Sequence, residues 1–496
     1  MKLYLSGHEY RYAVEQILLT MFPEERPVYP ERREPGDGAV VSLHTGPVYT
    51  TAFAGIRYGG KYAKAFSRCR TDNLGGKLQR DRELQKIIKF AFYRAAYEIT
   101  GKKPVWGALT GIRPAKMIGT LGEKGLSEEQ AARTLTREYF VAPERATLCL
   151  DAYQAGERVR RTLDRRDAAL YVGIPFCPTR CAYCSFVSQT VERSMGLIEP
   201  FLAALYREIV ETAAVAKRLR LRIISVYIGG GTPTTLSAPQ LTDLIGRLRA
   251  AFSLSDGVEF TVEAGRPDTI TAEKLAALRE GGVTRISINP QSMDDRVLEA
   301  IGRKHSAEDV RRACRLARDA GSGAVNMDLI AGLPADSAKG FQRTLDEVIG
   351  YRPENITVHT LALKKGSRIL LEGTALPSAE EVGRMLDFAA AGLRQAGYRP
   401  YYLYRQKFMS GGFENVGWAL PGTENLYNIL IMEELCTILA MGGGGSTKLV
   451  AAETGKIERI FNAKYPLEYL ENEEKRTASK EHIAEFYEAE ILRKQM

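Results

Sequence analysis

From residue 168 onward the chain alternates between two periodicities, and no other feature limits its fold as much. Short runs rich in apolar and β-branched residues fall at 168–174, 223–228, 258–262, 285–288, 324–330, 356–363 and 398–404. Helical patterns occupy most of the gaps, at 198–219, 240–251, 272–279, 307–320 and 379–396. Adjacent parallel strands need a crossover connection, and a helix is the usual one. The pattern therefore predicts an α/β fold of βαβ units around a parallel sheet. Six or so units in succession favour a full or partial barrel. In barrels of this kind the working residues stand at the C-terminal ends of the strands.

The flanking segments read differently. Residues 1–165 are expected to form a separate α+β domain. Residues 2–5 suit a short strand, and 48–57 with 61–66 suit a hairpin around Gly59-Gly60. Between 78 and 99, Leu84, Ile87, Ile88, Ala91 and Ala95 share one helical face, with Gly101 just beyond as a stop signal. The tail is punctuated by glycines, Gly442 to Gly445 among them, with helical patterns at 426–439 and 480–493. The expected division is an N-terminal domain at 1–165, a barrel at 166–406 and a small, mostly helical closing domain at 407–496.

Three of the seven cysteines, Cys177, Cys181 and Cys184, stand within eight residues directly behind the first apolar run. Cys69, Cys149, Cys314 and Cys436 are scattered and read as small buried hydrophobes. Three thiols at this spacing, on a loop leaving a strand, can converge on one metal centre. Structural zinc takes four ligands, usually in two separated pairs, and no fourth is nearby. An iron–sulfur cluster is held by thiolates, and three of them leave one iron open to something other than protein. That favours a catalyst over a structural metalloprotein.

Further polar residues fall at the same strand ends. Gly229-Gly230-Gly231-Thr232-Pro233-Thr234 follows the second run, allowing close backbone approach to a ligand and offering N–H groups to a carboxylate. No Lys follows as a phosphate-binding loop requires. Glu263, Gln291 and Asp328 sit at or near the ends of three successive strands. Buried groups of this kind need partners.

Lys and Arg total 69 against 60 Asp and Glu, a net charge of +9. This balance suits an anionic partner. The densest basic stretch, 158–166, is interrupted by Asp164 and flanked by Glu157 and Asp167, and reads as a solvated helix end. No apolar run is long enough to span a bilayer, and no signal-like segment opens the chain. A cytoplasmic location is expected.

Together these residues resemble the radical S-adenosylmethionine superfamily, and within it the oxygen-independent coproporphyrinogen III oxidase group, in particular its HemZ-type coproporphyrinogen dehydrogenase branch. Cys177-x3-Cys181-x2-Cys184 matches the superfamily's cluster motif. Gly229-Gly230-Gly231-Thr232-Pro233 resembles its methionine-binding glycine motif. Tyr171-Val172-Gly173-Ile174-Pro175-Phe176-Cys177 parallels the group's Tyr-Ile-His-Ile-Pro-Phe-Cys, and Asp328-Leu329-Ile330-Ala331-Gly332-Leu333-Pro334 its Asp-Leu-Ile-x-Gly-Leu-Pro. The resemblance implies a partial (β/α)6 barrel and a [4Fe-4S] cluster on Cys177, Cys181 and Cys184. It implies S-adenosylmethionine contacts from Tyr171, Tyr183, Gly230, Gly231, Thr232, Glu263, Gln291, Arg303, Asp328 and Ala362. The implied reaction uses a 5′-deoxyadenosyl radical to decarboxylate two propionates of coproporphyrinogen III, giving protoporphyrinogen IX with help from an electron donor. The tetracarboxylate substrate calls for basic residues, and Arg180, Lys364, Lys365, Arg368 and Arg405 are candidates by position.

Two positions depart from the group's pattern. Gly173 replaces its His, and Phe186 stands where some members carry a fourth cysteine. Phe186 resembles the heme-chaperone branch, which keeps the cluster but hands over heme. On that alternative heme is the partner, and His305 and His359 are its candidate axial ligands. A radical enzyme acting on RNA is a third reading. It rests on net charge alone, without a recognisable RNA-binding module, so no nucleic-acid partner is expected.

Overall fold

The computed structural model describes residues 1–184, 189–190, 194–363, 367–406, 410–451 and 454–492. The chain divides into two compact units, Met1–Leu150 with Gly411–Phe413, and Asp151–Ser410 with Glu414–Met496.

The first unit carries a four-stranded sheet of β1 (Lys2–Ser6), β2 (Gly38–Thr45), β3 (Tyr49–Tyr58) and β4 (Lys61–Arg70), in that order. β1 runs parallel to β2 and the other pairs are antiparallel. The expected hairpin forms because Gly59 and Gly60 both take positive φ, +56° and +78°, as a two-residue turn matching strand twist requires. Helices α1 (Arg11–Met21) and α2 (Lys77–Thr100) bury one face of the sheet. Val14, Ile17 and Leu18 meet Leu84, Ile88 and Ala91 in one core with Val41, Ala54 and Ile56. α2 stops at Gly101, which is left-handed, as a helix end favours.

The second unit holds the βαβ repeat. Its strands are β5 (Asp167–Ile174), β6 (Arg222–Gly230), β7 (Glu259–Glu263), β8 (Arg285–Ser287), β9 (Ala324–Ala331), β10 (Asn355–Thr360), β11 (Arg399–Arg405), β12 (Glu414–Ala419), β13 (Thr437–Gly442), β14 (Ser446–Ala451) and β15 (Lys456–Phe461). They form one sheet, ordered β11-β12-β10-β9-β8-β7-β6-β5-β13-β14-β15. The parallel stretch runs from β10 through β5 to β13. All seven apolar runs noted in the sequence became strands, and the helices between them fall where the 3.6-residue period put them. Ser237 and Ser306 start two of these helices with reciprocal capping boxes to Gln240 and Asp309. This is a partial barrel, with antiparallel strands added at both edges and two helices, Pro466–Glu471 and Glu473–Tyr487, near the C-terminus.

One expectation for the tail needs correcting. The helix anticipated over 426–439 ends at Glu433, and 437–442 instead becomes β13 beside β5. Glu434 breaks the helix in a left-handed conformation, φ +55°, without the glycine that usually announces it. No described helix is long and apolar enough to cross a membrane.

Candidate active site

The cysteine loop leaves β5 and is pinned from below. Ala182 N–H donates to the Ile301 carbonyl at 2.9 Å, and Cys184 N–H to the Cys181 carbonyl at 3.1 Å. The buried Arg266 guanidinium donates to Thr179 Oγ1 at 2.9 Å and grips Asp268 through two bonds of 3.0 and 3.1 Å. Cys177, Cys181 and Cys184 are free thiols, partly open to solvent. Among the described residues, no three His, Cys, Asp or Glu side chains are placed to hold a single metal ion. A polynuclear cluster asks for something else: each iron takes its own thiol, so its protein ligands stand further apart than those around one ion.

The glycine run after β6 folds against this loop. A Cβ on Gly231 would lie 2.4 Å from the Phe176 carbonyl and 3.0 Å from Cys177 Sγ, so only glycine leaves that cradle open. Thr232 Oγ1 reaches Cys177 Sγ at 3.5 Å. The run does not present free N–H groups to a carboxylate, as its composition suggested. Gly231 N–H donates to the Ile174 carbonyl and Thr232 N–H to the Phe176 carbonyl, each at 2.7 Å, while the backbone of Gly230 helps to lower the Glu263 carboxyl against its burial. With its donors used inside the chain, the run suits a cationic ammonium better than an anion.

Glu263 ends β7 within this floor. Tyr227, two residues before Gly229 on the same face of β6, donates its hydroxyl to Glu263 Oε1 at 2.6 Å. Burial raises the Glu263 carboxyl to about 7, with Asp328 adding to the rise and the Tyr227 bond opposing it. Asp328 points the other way. Burial would raise it, but His359, Asn326 and Thr357 outweigh burial and hold it below the usual carboxylate value. Asn326 Nδ2 donates to Asp328 Oδ1 at 2.8 Å, and His359 Nε2 lies 3.8 Å from Oδ2. The rings of Tyr171, Tyr227 and Tyr427 stack beside the pair, Tyr227 to Tyr427 at 4.5 Å between centroids.

Gln291 and Arg303 complete the floor. Gln291 is held at φ +67°, a strained value for a side-chain-bearing residue, by bonds from its N–H to the Asp328 carbonyl and from Ile330 N–H to its own carbonyl. Arg303 donates to the carbonyls of Gly265 and Asn289 and to the Tyr183 hydroxyl, at 3.2, 3.0 and 3.1 Å. Gln291 Oε1, Asn289 Oδ1 and Arg303 Nε are buried without partners in the chain. Buried polar atoms are normally satisfied, so three orphans in one place mark a ligand's position. Two carboxylates, an amide oxygen and a guanidinium offer what an amino acid with a ribose needs. The residues therefore fit S-adenosylmethionine. Ala362 lies two residues beyond β10, partly covered.

Residues 171–348 match the Radical SAM superfamily. Over 476 residues the chain is 37% identical to the oxygen-independent coproporphyrinogen-III oxidase-like protein HemZ of Bacillus subtilis, covering 94% of each chain. The protein belongs to this HemZ-like radical SAM family. It is also 32% identical to the heme chaperone HemW of Bacillus subtilis over 250 residues, 49% of this chain and 64% of that one. Among solved structures it shares the fold of Escherichia coli coproporphyrinogen III oxidase HemN, at a TM-score of 0.51 and 24% identity, covering 67% of this chain and 73% of that one.

Of the five basic residues considered for a tetracarboxylate, three lie among the described residues of this radical SAM protein. Arg180 is exposed, and Arg368 is exposed and bonded to Glu372 at 3.0 Å. Arg405 lies on β11 opposite Glu414. Lys364, Lys365 and Phe186 lie outside the described residues. His305 is buried between Arg303 and Arg266, and burial with these two cations lowers it to about 4. His359 instead faces Asp328 within the floor. Tyr227, Tyr427 and Arg266 escaped the sequence reading. Tyr227 was in reach of it, because period-two alternation puts residue 227 on the face of Gly229.

Proposed function

We propose that this protein is an anaerobic porphyrinogen oxidase, converting coproporphyrinogen III to protoporphyrinogen IX. The near full-length likeness to the oxidase-like HemZ carries the reading. Each of two propionates loses a hydrogen atom, carbon dioxide and one electron to become a vinyl group, so the reaction needs an electron acceptor as well as a donor.

Cys177, Cys181 and Cys184 would hold the cluster, with Arg266 and Ile301 fixing their loop. Once bound, a [4Fe-4S] cluster and S-adenosylmethionine supply one-electron cleavage of a sulfonium and, from it, hydrogen abstraction. The other residues bind and orient. Ionised Asp328 and Glu263 accept hydrogen bonds from an amine or ribose hydroxyls. Arg303 pairs with a carboxylate and Gln291 offers its amide. The tyrosine stack closes the floor and limits side reactions with water.

The test is one anaerobic incubation of the reduced, reconstituted protein with S-adenosylmethionine and coproporphyrinogen III. Vinyl product with matching deoxyadenosine is expected. Deoxyadenosine without vinyl product removes the substrate assignment. A second reading, heme handling, draws on the likeness to HemW. Stoichiometric heme binding followed by transfer to an acceptor protein, without vinyl product, would favour it.

A further inference from the structure

The four-stranded sheet of the first unit has two unlike faces. One is buried under α1 and α2. The other alternates with it along every strand, and β3 and β4 put the same set of residues on it. Phe53 stands opposite Phe66, Arg57 opposite Tyr62, and Thr51 opposite Arg68. Tyr62, near the hairpin turn, is 61% exposed, and Phe66, in the middle of β4, is 60% exposed, a high value for a large ring within a sheet. A Cβ on Gly55, between these positions, would meet the Tyr62 hydroxyl at 3.1 Å and the Phe53 ring at 3.4 Å. The two rings thus lie over a bare patch of backbone and form a platform.

The charge on this face has one sign. β2, β3 and β4 contain Arg57, Lys61, Lys64, Arg68 and Arg70 and not one Asp or Glu. Register puts all but Lys61 on the open face. Arg70 is paired with Asp72 at 2.7 Å, but among the described residues no carboxylate pairs with Arg57, Lys64 or Arg68. The Arg68 guanidinium carbon sits over the Tyr49 ring, 4.3 Å from its centroid, and a guanidinium on an aromatic face can also stack on a base. From Tyr62 to Arg70 the row extends over eight residue steps, about 27 Å along the strand.

We propose that this face binds a single-stranded polynucleotide. Flat rings spaced among cations on an open sheet match what such a strand presents: bases that stack in any sequence, and a phosphate at every step. A compact polyanion would engage one part of a row this long, whereas an extended one engages all of it. The proposal concerns the first unit alone and stands independently of the oxidase reading.

The full-length protein is titrated into fluorescein-labelled oligouridylate and oligothymidylate of about 12 nucleotides, a length within the usual site range, at several salt concentrations. Anisotropy is expected to report binding that weakens steeply with salt. Tyr62→Ala and Phe66→Ala should each weaken it about tenfold. The surface-charge variants Lys64→Glu and Arg68→Glu should weaken it and flatten the salt dependence by about 0.7 in log–log slope per charge removed. Cys181→Ala should leave it unchanged. Preference between the two oligonucleotides tells RNA from DNA. Absence of salt-dependent binding, affinity indifferent to all four substitutions on this face, or displacement of the oligonucleotide by stoichiometric hemin or coproporphyrin would overturn the proposal.

Discussion

The carbonyl oxygen of Gly443 stands where a side chain at Gly173 would begin. A Cβ on Gly173 would lie 2.3 Å from it, and a Cβ on Gly442 would lie 2.3 Å from the Gly173 carbonyl. The two segments also bond, Gly443 N–H to the Gly173 carbonyl at 3.0 Å. A histidine at 173, the residue of the oxidase group's motif, has no room here, because β13 and its glycine turn lie directly against the end of β5. The glycine run of the tail, which looks like low-complexity sequence, thus belongs to the wall beside the cysteine loop.

Restoring that histidine should be costly. Gly173→His forces backbone apart at a site without room, and overpacking of this sort costs about 1–3 kcal/mol. Urea unfolding should show the midpoint falling with little change in slope. A variant as stable as the parent would mean that the turn is not packed against β5.

A buried ion pair ties the same turn to the C-terminal helix. Glu208 and Lys480 have side chains 0% and 6% exposed and meet at 2.8 Å. Glu208 also accepts from Gly442 N–H at 2.8 Å, the Tyr469 hydroxyl at 2.6 Å and Asn462 Nδ2 at 2.9 Å. Burial alone would raise its carboxyl, but Lys480, the Gly442 N–H and Tyr469 outweigh burial and hold it below the ordinary value. The stability it contributes is therefore present at neutral pH and lost on acidification through that lowered value. Lys480→Met leaves a buried charge unpaired and should cost about 3–5 kcal/mol, whereas Lys480→Met with Glu208→Gln, which removes the charge but keeps an acceptor for the Gly442, Tyr469 and Asn462 donors, should recover part of it. Denaturant titrations of the three proteins at pH 7 check this. A double variant no better than Lys480→Met alone would deny the pairing.

Glu263 predicts a pH dependence of the opposite sense. Its folded carboxyl titrates near 7, against about 4.3 when unfolded, so the folded chain binds the extra proton between those values. Stability should therefore decline as pH rises from about 4.3 to 7, and Glu263→Gln should remove that part of the slope. Ligand binding should run the other way, because only the ionised form holds an ammonium. Affinity of the reconstituted protein for S-adenosylmethionine should fall as pH drops through about 7 in the parent and stay flat in Glu263→Gln. Tyr227→Phe deletes the bond that opposes the rise and should move the transition to higher pH.

The sequence made some of this legible and hid the rest for physical reasons. The barrel strands from 168 to 404 announced themselves because each is a short apolar run isolated by a helix of different period. β13 did not, since Thr437-Ile438-Leu439-Ala440-Met441-Gly442 is buried on both faces and continues the apolar pattern of the helix before it. Glu263, Gln291 and Asp328 stood out as polar residues at apolar strand ends. Tyr227 and Tyr427 did not, because an aromatic ring in a strand or helix reads first as core. The backbone strain at Gln291 and the consumed N–H groups of the glycine run have no sequence signature at all. Both arise from contacts between segments distant in the chain.

The three clustered thiols and the four scattered ones should separate cleanly on iron content. Cys314 and Cys436 are buried, and burial raises their thiols to about 11 and about 12, which keeps them protonated and poor as ligands. Cys149 is buried as well. Cys69 is half-buried on β4 of the other compact unit. Cys177→Ala, Cys181→Ala and Cys184→Ala should each abolish bound iron and sulfide after anaerobic reconstitution, together with the charge-transfer absorption of the cluster. Alanine at 69, 149, 314 or 436 should leave iron per chain unchanged. Arg266→Leu makes a finer test, because Arg266 touches no thiol but anchors Thr179 within the loop. It should lower cluster occupancy while the far-ultraviolet circular dichroism stays that of the parent. If one of the four scattered cysteines proved necessary for iron and one of the clustered three dispensable, the ligand set on this loop would be wrong.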